Sequence, residues 1–231
     1  MSQQPVLIPA SDWPSRLWLF LLAFGLVWLS GCSSTYYDAM EKLGYEKRDI
    51  LISRVQDARD AQSEVQETFR SALEQFQSVV DTPDTPLKAR YEQLQAAYDD
   101  SEVAARDVRR RIDQVEDVAS ALFKEWQREL RSYDSQALRR SSEQTLQETR
   151  SHYEQLIGRM EDAAESMDPV LRAFRDQVLY LKHNLNAQAI ASLEGELGRI
   201  RQDVDALIRE MERAIAESEA FLQRMQRVAA G

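Results

Sequence analysis

Cys32 is the residue best placed to do chemistry, and it is the sole cysteine in a chain of 231 residues. Its thiol can take a diacylglyceryl group as a stable thioether. With no second cysteine it can form no internal disulfide. Leu29, Ser30 and Gly31 precede it, an aliphatic residue and two small ones, so an extended chain here can enter a peptidase cleft. Metal chemistry has less to draw on, because His152 and His183 are the only histidines. A di-metal helical bundle of the ferritin type takes Glu-x-x-His from each of two helices. Here Glu148 lies four positions before His152, and Tyr180 stands three before His183, so the ligand count excludes that site. His152 reads as a surface residue and His183 as a turn residue. Serine catalysis needs a base held by an orienting partner. The sequence offers no Gly-x-Ser-x-Gly elbow and no glycine-rich phosphate loop. Carboxylates are so frequent that no one pair stands out. The residues argue against an enzyme and imply no catalytic residue, no cofactor and no metal.

The segment before Cys32 gives the thiol its context. Leu17 to Leu29 is a run of 13 uncharged residues. A membrane-spanning helix needs about 20, so the run fits the apolar core of a signal peptide. Arg16 and the initiator amine supply a thin basic region, which Asp12 weakens. Leu29-Ser30-Gly31-Cys32 resembles the lipobox of bacterial lipoproteins. That resemblance implies that residues 1–31 are a removed leader and residues 32–35 a lipidated tether, with Cys32 as the attachment site. It also implies a triacylated terminus. One myristoyl chain binds membranes with a constant of only about 10⁴ per molar, and three release very slowly. In enterobacterial lipoproteins an Asp at the next position retains the protein in the inner membrane. Ser33 stands there instead, which points to the outer membrane and a periplasm-facing domain.

Glycine and proline usage decides the fold class. No glycine occurs between Gly44 and Gly158, and beyond the leader the prolines are Pro83, Pro86 and Pro169 alone. A β-protein needs turn residues far more often, whereas Ala, Leu, Glu, Gln and Arg all favour helix. The expected fold is all-α: one domain, 36–231, built as an elongated antiparallel bundle or coiled coil of about four long helices. The first helix spans about 36–80, with a seam of alternating three- and four-residue steps: Leu51, Val55, Ala58, Gln62, Val65, Phe69, Ala72, Phe76 and Val79. The second spans about 87–131, from Leu87 through Leu94, Ala105, Ile112 and Val115 to Trp126. The third spans about 136–185, with Ser135 or Asp134 as its cap. Asp168-Pro169 breaks or kinks it, but the seam keeps its phase, which predicts a restart rather than a reversal. The fourth spans about 187–228. There Ile208, Ile215 and Leu222 widen the apolar face toward what a bundle core needs.

The chain carries a net charge of −10. That argues against a broad basic surface for nucleic-acid backbones or anionic headgroups, because like charges repel. Lys47-Arg48, Arg109-Arg110-Arg111 and Arg139-Arg140 are basic clusters among carboxylates, expected to form local ion pairs on solvated helix faces. Tyr36, Tyr37 and Tyr45 follow the lipid site closely. Tyrosine suits a membrane–water boundary, so these three read as a membrane or partner contact, or else as an ordinary helix start. Tyr180 to Asn186 reads as a helix–helix turn or a recognition loop.

Four stretches carry a wider resemblance: Tyr36-Tyr37 through Asp49-Ile50-Leu51, Leu122 through Trp126, Met167 through Leu171, and Leu181 through Ala187. They are similar to an uncharacterised family of proteobacterial lipoproteins, with the likeness covering nearly all of the chain beyond the leader. It implies the anchor and the helical fold and assigns no activity. The expected role is a non-enzymatic scaffold or partner-binding lipoprotein of the cell envelope. It is held to the membrane by acyl chains and faces an envelope protein partner, with its oligomeric state left open. The alternative is a carrier for apolar ligands or unfolded proteins, with Met160, Met167, Met211 and Met225 as an adaptable lining.

Overall fold

The structure is a computed structural model that describes residues 47–81, 86–184 and 187–230. Cys32, Tyr36, Tyr37 and Tyr45 lie outside the described residues, as do residues 1–31. The described helices belong to one compact unit, Tyr45–Gly231. They are α1 (Lys47–Asp81), α2 (Leu87–Glu129), a 3₁₀ turn (Leu130–Ser132), α3 (Gln136–Glu165), α4 (Met167–His183) and α5 (Ala187–Ala230). No strand occurs among the described residues, and none of their helices is long and apolar enough to cross a membrane.

α1 packs against α2 and α5, and α3 and α4 in succession pack against the same two helices. α1 therefore lies diagonally across from the α3–α4 leg. Lys47 meets Glu125, and Arg48 reaches the carbonyl of Met225, while Arg201 reaches Gln77 at the other end of α1. These pairings make neighbouring legs antiparallel. α2 has 43 residues, about 65 Å of helix.

Most of the predicted seam is the core, while Leu87 and Trp126 at the two ends of the α2 seam are half-buried. Leu51, Val55, Ala58, Phe69 and Phe76 are fully buried, as are Leu94, Ala105, Val115, Leu156, Met160, Phe174, Leu193, Val204, Met211 and Ala214. Burying each large side chain stabilises the fold by roughly 1.5–3 kcal/mol. Phe174 closes the diagonal: its ring stacks on Phe76 at 4.3 Å and faces Phe69 at 6.2 Å. Leu222 joins the core, and Ile208 and Ile215 are half-buried beside it, which gives the broader face expected of a bundle.

The third leg is interrupted where the proline predicts, two residues early. α3 ends at Glu165, Ser166 forms the junction, and Pro169 is the third residue of α4. Pro169 has no N–H for the carbonyl of Glu165, and its ring would crowd that carbonyl. The helix therefore ends at Glu165, and the proline takes a first-turn position where no N–H is required. Both pieces pack on α2 and α5, so the chain restarts in the same direction.

Candidate functional site

The end of the bundle where the chain enters at Lys47 is built from four legs. Lys47, only 6% exposed, pairs with Glu125 at 3.1 Å. The Arg48 guanidinium donates to the carbonyl oxygen of Met225 at 3.3 Å. The Trp126 indole N–H donates to Ser142 Oγ at 2.8 Å, which ties α2 to α3. One turn deeper, Phe123 meets Tyr153 edge-on at 5.4 Å, and Arg150 lies over the Phe123 ring at 5.1 Å.

Beyond these contacts α2 and α3 form a corner. The 3₁₀ turn tightens the end of α2, Tyr133 and Ser135 are extended, and Ser135 Oγ accepts the Leu138 N–H at 3.4 Å as the cap of α3. Such a cap satisfies one of the four free donors at a helix start. Residues 131–140 are all exposed, including Tyr133 at 41% and Leu138 at 60%. Arg128, Arg131, Arg139 and Arg140 stand on this corner, and none takes an ion pair among the described residues. In the other two clusters only Arg110 and Arg111 form the expected local pairs, whereas Lys47 is buried and pairs across the bundle, Arg48 bonds a backbone carbonyl and Arg109 reaches another helix. Lys47 takes Glu125, Arg109 takes Asp168, and Arg110 and Arg111 share Asp107. Arg139-Arg140 departs from the ion pairing expected of it. Glu143 lies four residues after Arg139, the less favourable order for a helical pair. Glu125, three before Arg128, is engaged by Lys47.

Two other surfaces have definite chemistry. Asp113, Glu116, Asp117 and Tyr153 line a shallow acidic cleft between α2 and α3. Desolvation, then the carboxylates of Glu161, Asp113 and Asp117, raises the Glu116 pKa. Burial, then the carboxylates of Glu116, Glu161 and Glu154, raises the Tyr153 pKa as well. Between α1 and α2 runs a groove of about 600 Å³, floored by Ala61, Val65 and Ala97 and rimmed by Glu64 and Asp107. Arg111 and Arg110 hydrogen-bond Asp107 and hold its pKa below the ordinary value. In the core, Gln62 is fully buried, and neither its amide oxygen nor its nitrogen has a partner.

The histidines lie far apart on the chain and in different settings. His183 is exposed at the end of α4, as predicted. His152 is half-buried, with Nδ1 enclosed and unpartnered, because it faces Phe221 and Met225 on α5 and not open solvent. No group of three or more His, Cys, Asp or Glu side chains able to hold a metal occurs among the described residues. Of the Tyr180–Asn186 stretch, Tyr180 to His183 form the last turn of α4 and the Asn184 side-chain amide donates to the Tyr180 carbonyl at 3.0 Å, while residues 185 and 186 lie outside the described residues.

Residues 36–225 match the model of a family described as a protein of unknown function, DUF2959. No match was found among curated proteins or among solved structures.

Proposed function

The chain belongs to the DUF2959 family, and from that premise we propose that it is a lipoprotein held by Cys32 in the outer membrane. Its periplasm-facing bundle serves as a non-enzymatic scaffold that binds an envelope partner. The observation that carries this reading is Leu29-Ser30-Gly31-Cys32 at the end of a 13-residue apolar run. The bundle adds support. Its apolar seam is consumed inside, leaving long faces of charged side chains outward. The carrier alternative asks more of the molecule. Met160, Met167 and Met211 are fully buried, and Met225 is 4% exposed, so a guest would have to open the core.

Crosslinking in cells followed by pull-down of the native protein tests the scaffold. A reproducible envelope partner is expected, and recovery of none counts against the proposal. Mass spectrometry of the Cys32 peptide from the same sample tests the anchor. Acyl mass on Cys32 is expected, and a free thiol or an uncleaved leader overturns that part.

A further inference from the structure

We infer that the α2–α3 corner is a second membrane contact, which lays exposed Tyr133 and Leu138 against an anionic phospholipid surface and four arginines on its phosphates. The inference rests on the proposed anchor at Cys32, and it concerns residues outside that anchor. Three observations converge on it.

The first is charge. Arg128, Arg131, Arg139 and Arg140 fall within 13 residues that hold only two carboxylates, Glu129 and Asp134, in a chain of net charge −10. Arg109, Arg110 and Arg111 are engaged with carboxylates and Arg48 with a backbone carbonyl, and these four take no ion pair among the described residues. A guanidinium without a carboxylate is free for bidentate contact with phosphate. The second is apolar exposure beside that charge. Tyr133 and Leu138 are 41% and 60% exposed, and tyrosine favours the headgroup level. The third is position. Lys47 is fifteen residues after Cys32 and pairs with Glu125, three residues before the first of the four arginines. Fifteen residues span at most about 50 Å when extended. The opposite end of α1, at Asp81, is 34 residues further along, roughly 50 Å of helix rise beyond Lys47. The corner is thus on the end of the bundle that the tether enters, where a lipid surface is within reach.

The acyl chains would supply the binding strength and the corner the orientation. Each arginine near an anionic surface changes the ratio of docked to undocked corner by about fivefold. The contact weakens with salt, since such attraction fades within a Debye length of about 8–10 Å.

Residues 32–231 contain the whole compact unit and one tryptophan, Trp126. For the test, this chain is coupled through the Cys32 thiol to a maleimide lipid, so that the tether does not depend on natural acylation. The vesicles are phosphatidylcholine with brominated chains, with or without phosphatidylglycerol at about a third of the lipid. The Tyr133→Trp variant reports the corner, with the parent's Trp126 emission as background. Quenching of the new tryptophan is expected with phosphatidylglycerol and not without it. Arg131→Gln, Arg139→Gln and Arg140→Gln together should lower the docked ratio about a hundredfold. Arg172→Gln and Arg209→Gln, at exposed positions outside the corner, should leave it unchanged. Quenching that is absent, or equal in the two lipids, overturns the proposal. Emission that follows protein density and ignores lipid charge also overturns it and assigns the corner to a second copy. If Cys32 from cells proves unacylated while quenching holds, the anchor falls and the corner stands.

Discussion

The middle of the bundle and its α2–α3 corner are held by opposite means. In the middle, Phe69, Phe76 and Phe174 meet across the diagonal with no exposure, and order comes from burial. At the corner ten consecutive residues are exposed, and order comes from a cap, a 3₁₀ turn and the Trp126–Ser142 bond. The contrast separates two uses of one sequence style. A heptad seam fixes which legs touch. Where the seam stops, polar contacts keep the helices in place and leave their side chains uncommitted.

The sharpest break of this comparison is Phe174→Ala. It removes a ring packed against two others and should cost about 3–5 kcal/mol in urea unfolding. A loss below 1 kcal/mol would mean that the diagonal contact does not hold the core. Gln62→Leu tests the same region from the other side. A buried amide without partners costs the fold about 1–3 kcal/mol, so the variant should gain stability of that order by the same measurement. A loss would show that the amide is hydrogen-bonded in solution. At the corner, Ser135→Ala removes the cap of α3 and should cost about 0.5–1 kcal/mol. Hydrogen exchange at the first turn of α3 should rise while the middle of α3 is unaffected.

The smallest expected effect lies on the acidic cleft. The Glu116 pKa is raised in the folded chain, so its ionisation disfavours folding above that raised value. As pH falls through it toward the ordinary 4.5, the folded state takes the proton first and the penalty disappears. Glu116→Gln should therefore melt higher than the parent at pH 7 and equal to it below pH ~4. Asp107 has the opposite sign. Its lowered pKa adds stability above the ordinary 3.8, and that stability is lost as pH falls through the lowered value.

Much of the fold can be read from spacing alone. Every seam position named in α1, from Leu51 to Val79, is buried. Of the two cap candidates for α3, Ser135 is the one used. Pro169 signals a break, but its own tolerance of a first-turn position moves that break to Ser166. The corner is harder to read, because pairing there depends on competition between distant residues. Lys47 takes Glu125 across 78 positions, and that leaves Arg128 without it. The isolation of Gln62 is equally illegible. It occupies a regular seam position, and what surrounds its amide is set by the register of the other legs.

The junction at Ser166 has a consequence for timing. A leg made of one unbroken helix protects its amides as a single unit, since opening any part disturbs the whole seam. Here the third leg is a 30-residue helix followed by a 17-residue one. The shorter piece can detach without unwinding the longer, because no i-to-i−4 bond leads from Pro169 back into α3. Deuterium uptake along this leg should run on two clocks, with the boundary at Ser166 and the faster one in Met167–His183.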